Sequence, residues 1–320
     1  MRSRLAISPR LYARVSLVAL AALVLIVLTG AAVRMTGSGL GCPDWPKCYG
    51  QTIAPLESHA IIEYTNRLLS GIVGISVIAA GALAWFRRPF RWHLALFGGF
   101  LPIGVMGQAV LGALVVKHHL APGLVMSHFI LSMILLDSAF ALAWCARYEP
   151  GERGYSSDRL GVWAVRALVP LGQLTIVLGT IATASGPHAG SHGETLVQRF
   201  DFRGSGTLTW VVNRHGVVAA VFGVAVLAVW LLLRRSGGEK RALRPLTVTL
   251  GLIALQGVLG IVQYRAKLPA ELVWLHVALA TLTWVSVLWS VASAGRLAPR
   301  SAPAGERRTP AAPEPELAQV

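Results

Sequence analysis

The chain has 320 residues, 54% of them hydrophobic and 13% charged, against about 25% charged in soluble domains; its mean hydropathy is +0.60. That balance excludes an ordinary soluble domain and points to an all-α integral membrane protein. A net charge of +15 would suggest nucleic acid only if the basic residues formed a patch. They follow the loops instead, so no nucleic-acid partner is expected and membrane lipid is the surrounding medium.

Residues 1–14, with Arg2, Arg4, Arg10 and Arg14, read as a cytoplasmic tail. The apolar segment over 15–33 exceeds the roughly 7–15 residues of a signal-peptide core and suits a retained span. Further apolar runs predict spans at 60–86, 94–116, 121–146, 161–183, 208–233, 245–264 and 270–294. The organisation that follows is a first half over 15–146, a linker over 147–160, a second half over 161–294 and a Pro-rich, disordered tail over 295–320. Eight spans put both termini on one side. That side holds nineteen Lys and Arg and the other seven, which predicts cytoplasmic termini in a multi-pass plasma-membrane protein.

On the outer side, the loop over 37–57 contains Cys42-Pro-Asp-Trp-Pro-Lys-Cys48. An oxidising compartment makes a disulfide between Cys42 and Cys48 an expectation. Two free thiols or a metal site are the alternatives, although zinc needs about four ligands and the loop supplies few besides the cysteines. Cys145, at the cytoplasmic end of the fourth span, reads as a reduced packing residue.

Just after this loop the chain reads His59-Ala-Ile-Ile-Glu63-Tyr-Thr-Asn66-Arg67. At about 100° per residue, His59, Glu63 and Asn66 share one helical face. Ionisable groups in a hydrocarbon-spanning helix cost roughly 2.5–3.5 kcal/mol each, so they normally face the bundle interior and mark a site. The plainer reading is an ion pair of Glu63 with Arg67 that only holds structure.

The sequence also repeats. Shifted by 147 or 148 residues, Thr36-Gly-Ser38-Gly39 falls on Thr183-Ala-Ser185-Gly186 and Asn66-Arg67 on Asn213-Arg214. Gln108-Ala-Val-Leu-Gly112 falls on Gln256-Gly-Val-Leu-Gly260, and His128 on His276. A unit of four helices inserts twice in the same direction, which predicts two parallel-repeat four-helix bundles. His59, His128, His215 and His276 lie at or within the outer ends of the second, fourth, sixth and eighth spans. Imidazole suits iron, and facing histidines on neighbouring helices can hold a haem through both axial positions.

At this point the chain resembles the haem A synthase family. The residues that carry the likeness are Arg34-Met-Thr-Gly-Ser-Gly-Leu-Gly-Cys-Pro-Asp-Trp-Pro-Lys-Cys48, Glu63 with Arg67, Pro122 to His128, Gly186-Pro-His-Ala-Gly190 and Gln256 through His276. The resemblance implies oxidation of the C8 methyl of haem O to the formyl group of haem A, for terminal oxidase biogenesis. It also implies haem b as cofactor in the second half, on His215 and His276, and haem O as substrate in the first. Haem O synthase and a terminal oxidase subunit are the implied protein partners. The family motif commonly reads Glu-x-x-His-Arg, whereas Asn66 stands at the fourth position here. The resemblance then implies His128 as a ligand for the substrate haem, with His59 as the candidate substitute for the ligand missing at Asn66, and Glu63 as the catalytic group supported by Asn66 and Arg67. Two other classes fit parts of the pattern: a di-haem electron-transfer protein, and a proton-coupled transporter of two parallel repeats, which would purify colourless.

Overall fold

The computed structural model of the protein describes residues 6–191, 197–236 and 240–297. Among the described residues, eight helices are long and apolar enough to cross a membrane. They are α1 (Pro9–Met35), α2 (Ser58–Phe86), α3 (Trp92–Lys117), α4 (Pro122–Arg147), α5 (Arg159–Ser185), α6 (Thr207–Ser236), α7 (Leu243–Arg265) and α8 (Ala270–Ala294). A helix is the form such segments take because each backbone N–H and C=O must find its partner within the segment. With 23 residues in α7 and 30 in α6, the helices reach about 35–45 Å, beyond the roughly 30 Å hydrocarbon core.

That excess appears at the ends. α1 starts at Pro9 rather than near residue 15, because Ser8 caps it by accepting from the Leu11 N–H at 3.2 Å and proline suits the first helical position. Arg10 and Arg14 therefore belong to the helix. Asp158 does the same for α5, accepting from the Gly161 N–H at 2.7 Å. Hydropathy finds the hydrocarbon-crossing stretch, and capping chemistry sets where the helix starts.

Helices α1 to α4 pack in a ring, and α5 to α8 pack in a second ring. Side chains such as Ile72, Ile75, Ile103 and Met106 point outward from the bundle, where lipid rather than water would meet them. Inside, α2 and α3 touch backbone to backbone: a β-carbon on Gly81 would lie 2.6 Å from the Gly98 carbonyl oxygen. Gly81 tolerates no side chain unless the two helices shift, and Gly98, with an added β-carbon 3.2 Å from the Ala80 carbonyl oxygen, is nearly as tight.

The two rings meet where α1 packs on α8 and α4 packs on α5 and α8. Hydrogen bonds cross this junction at several depths. At the face away from the α2–α3 and α4–α5 connections Arg34 donates to the carbonyls of Thr183 and His188, both at 3.0 Å, and the Gly39 N–H donates to Gly190 at 2.7 Å. Deeper, the Trp274 indole donates to the Leu28 carbonyl at 3.0 Å and the Trp284 indole to Asp137 at 2.6 Å.

Both ends of the described chain fall on one face. Ile7 exchanges backbone hydrogen bonds with Phe86 and Arg88 at 2.9 and 3.0 Å, and Ser156 donates to Arg296 at 2.7 Å. The α2–α3 and α4–α5 connections, where Arg87 and Arg91 meet Glu149, lie on that same face. Most of the tail expected over 295–320 lies outside the described residues.

Candidate functional site

At the opposite face, the loop before α2 is built around a disulfide. Cys42 and Cys48 are joined, their Cα atoms 4.7 Å apart, and both are fully buried. Asp44 folds the loop onto itself, accepting from the N–H groups of Tyr49 and Gly50 at 2.7 Å each. Those hydrogen bonds, that of Gly50 foremost, hold the Asp44 carboxyl below the usual carboxylate range. The Cys42–Cys48 bond is expected to resist thiol labelling until reductant is added; labelling of both cysteines in the untreated protein would contradict it.

Arg67 fastens this loop to α2. Its guanidinium donates to the carbonyls of Asp44 and Lys47 at 2.9 Å and of Cys42 at 3.2 Å, and pairs with Glu63 Oε1 at 2.6 Å. Glu63 is buried, and its Oε2 accepts from the Cys42 N–H at 2.7 Å. The planar fork of arginine suits this work, since several donors act at once from one rigid group. Both carboxylate oxygens of Glu63 are thus held, one by charge and one by the backbone of the disulfide loop.

His59 turns to the same cap. Its Nδ1 lies 2.9 Å from Ser38 Oγ, which lies 2.9 Å from Thr36 Oγ1. Gly41 makes this approach possible, because a β-carbon there would sit 2.2 Å from the His59 carbonyl oxygen. The repeat does not reproduce the arrangement: Gly206 stands where the shift of 147 places His59, and the Ser185 hydroxyl, repeat partner of Ser38, is buried without a partner. Arg214, repeat partner of Arg67, instead lies over the Trp210 ring at 5.2 Å.

Below the cap, the repeated Gln, Gly and His residues come together in each ring. Gln108 donates to the His128 carbonyl at 3.0 Å and Gln256 to the His276 carbonyl at 3.2 Å. Gly112 and Gly260 leave room for the rings: added β-carbons would meet His128 Cε1 at 3.5 Å and His276 Cε1 at 3.4 Å. Other glycines divide by role. Gly104 admits the Leu135 side chain, whereas Gly71, Gly74 and Gly257 face open space.

In the second ring two imidazoles meet. His215 and His276 have ring centroids 6.3 Å apart and planes at 70°. His215 Nδ1 lies 3.1 Å from the Thr175 carbonyl, so it carries the proton there and leaves Nε2 as the available lone pair. Gly179 accommodates that ring, with an added β-carbon at 3.0 Å from His215 Cε1. A metal bound at about 2.0–2.1 Å by each imidazole would place the two centroids about 6 Å apart. The pair therefore fits an iron held from both sides.

The first ring is different. His128 Nδ1, Asn66 Oδ1 and Gln108 Oε1 are all buried without a hydrogen-bond partner, as are His276 Nδ1, Gln256 Oε1 and Gln263 Oε1 in the second ring. Buried polar atoms are normally satisfied, so these atoms call for a ligand or ordered water. The donor set of imidazole and amide groups in an apolar interior fits haem in both rings.

The COX15-CtaA family, described as cytochrome oxidase assembly protein, matches this chain over residues 13–288. The chain belongs to that family. Among curated relatives, the heme A synthase of Shewanella oneidensis is 27% identical over a match covering 84% of this chain and 94% of its own length. The heme A synthase of Bacillus licheniformis is 24% identical, over 84% and 90%. A protoheme IX farnesyltransferase of Thermus thermophilus is 31% identical over 85% of this chain, which spans only 46% of that longer relative.

For this COX15-CtaA chain the structure brings Glu63, Arg67 and the disulfide loop together, and His215 with His276. It takes His59 to Ser38 and leaves Asn66 Oδ1 without a partner. Asp137, inside α4, escaped the reading by motif. Its signal was present all the same: it is an ionisable residue well inside an apolar span.

Proposed function

We propose that the protein is a membrane oxidoreductase that converts the C8 methyl group of haem O into the formyl group of haem A for terminal oxidases. The observation that carries this reading is the asymmetry between the rings. One presents two imidazoles 6.3 Å apart, suited to a permanently held haem b. The other presents His128 with a buried carboxylate and an amide nearby in sequence on α2, suited to a substrate haem. Haem iron supplies the oxidising chemistry such a methyl requires.

The chain's own residues bind, orient and manage charge. Turning a methyl into a formyl is a four-electron oxidation that also adds an oxygen: with water as the oxygen source and an external electron acceptor, R–CH3 and H2O give R–CHO, four protons and four electrons, so in this reading protons leave the site. Glu63 is the proton acceptor in this reading, Arg67 holds its carboxylate in place, and Asn66 offers an unpaired oxygen one turn away. His128 holds the substrate iron, and His59 orders the cap above it through Ser38. The disulfide loop, fixed by Arg67, closes the outer end of the first ring against water.

Placement and partners follow. The excess of basic residues on the face that carries both chain ends supports cytoplasmic termini in the plasma membrane. The Thermus relative, named for farnesylating protoheme IX, contains a region like this chain in about half of its length. That supports partnership with the haem O-forming enzyme, and delivery of product to an oxidase subunit.

The test is direct. Purified protein should be coloured, yield haem b on extraction, and produce haem A when the membranes that contain it receive haem O. Haem-loaded protein that leaves haem O unchanged would favour electron transfer alone, the reading that the His215 and His276 pair also serves.

A further inference from the structure

Two carboxylates lie well inside the spans, Glu63 and Asp137; Glu271 is in the first turn of α8. Glu63 has Arg67 beside it. Asp137 has no ion-pair partner among the described residues and meets neutral donors only: the Trp284 indole N–H at 2.6 Å, with the Gln173 amide beside it. Gly172 makes room for that indole, since a β-carbon there would lie 3.0 Å from Trp284 Cζ3. The carboxylate on α4 and the indole on α8 meet at the junction between the rings.

Its position relates it to both haem sites. Asp137 lies nine residues from His128 on α4, and Trp284 eight residues from His276 on α8, about 12–14 Å along each helix toward the cytoplasmic side. The charged or titratable groups on the helices packed against α4 include Arg14 and Arg34 on α1, His93 and Lys117 on α3, Arg166 on α5 and His276 on α8. None of them forms an ion pair with the Asp137 carboxylate among the described residues. With no fixed cation to hold it ionised, its protonation follows the variable charges on the same helices.

We propose that Asp137 is a redox-linked protonation site: it takes up one proton from the aqueous phase when haem iron on these helices is reduced, and releases it when that iron is oxidised. This rests on the haem-binding reading above. An external reductant supplies the electron, ferric iron becomes ferrous, and an O–H bond forms on the Asp137 carboxylate. At this separation and an interior dielectric of about 20, the two iron states differ roughly five- to tenfold in the proton affinity they impose. By linkage, the same factor returns as a dependence of haem potential on pH.

The experiment is a spectroelectrochemical titration of purified, haem-loaded protein, with dithionite as reductant, over a series of pH values. In the unaltered protein the midpoint should fall as pH rises through the Asp137 window. Asp137→Asn is neutral at every pH, so its midpoint should stay high where that of the parent falls, and this part of the pH dependence should vanish. Any slope common to both belongs to other groups, haem propionates among them. Trp284→Phe keeps the carboxylate but loses a donor that favours the ionised form, and should move the window to higher pH. A purely structural contact would weaken the protein in either variant and leave the pH profile in place.

An unchanged profile in Asp137→Asn overturns the proposal. If that variant does not fold, an unmoved window in Trp284→Phe does so. Protein that purifies without haem would instead overturn the reading on which it rests.

Discussion

Replacing His276 by alanine is expected to abolish a low-spin haem spectrum and to strip haem b from the second ring. The side chain stands 6.3 Å from His215, ring centre to ring centre, so removing it takes away one of two axial positions. Loss of groups that merely orient a metal ligand typically costs 10–100-fold in affinity, and loss of the ligand itself should cost at least about that much. The space created adjoins Gly260, which brings no side chain, and the Gln256 amide, whose nitrogen lies 3.5 Å from His276 Nε2 and is a poor axial ligand in place of the imidazole. Absorption spectra and extracted haem from the variant provide the measurement. Added imidazole, filling the vacated volume, should restore part of the low-spin signal if the defect is ligation rather than misfolding. Unchanged haem content and spectrum would retire His276 as a ligand.

The legibility of this site in the sequence depends on whether each contact is local or distant. Helix positions are plain because hydrocarbon forces helices wherever apolar runs are long enough, and the Gln, Gly and His repeat picks out His128 and His276. Helix starts were less plain: Ser8 and Pro9 lie outside the apolar run, so hydropathy placed the first start too late. The Arg67 grip on the carbonyls of Cys42, Asp44 and Lys47 is not readable from composition, since backbone acceptors leave no mark in side-chain identity. His59 shares a helical face with Glu63, yet its partner is Ser38, 21 positions earlier. Asp137 and Trp284 are 147 positions apart, one short of the shift of 148 that relates His128 to His276, so a search for matching residues in the repeat does not pair them.

Glu63→Gln is expected to leave haem in both rings while haem A formation falls by about 10²-fold or more, the usual range for losing a positioned proton acceptor. Haem O, or haem carrying a hydroxymethyl group at C8, should accumulate. The structure makes this a demanding test, because Glu63 also has a mechanical role: Oε1 takes the charge of Arg67 and Oε2 the Cys42 N–H. Glutamine can keep only one of these contacts, and turns an amide N–H toward a donor at the other. Breaking a buried ion pair on one side costs about 3–5 kcal/mol, enough to loosen the cap even if chemistry were untouched. The two roles are separated by reading the cap independently. If proton transfer is what glutamine removes, Cys42 and Cys48 stay closed to thiol reagents and the second-ring spectrum is unchanged while product disappears. If Glu63 only anchors the loop, exposure of that disulfide to reductants rises together with the loss of product, and Glu63→Asp, charged but shorter, fails equally. Full haem A yield from Glu63→Gln would remove the carboxylate from the mechanism altogether.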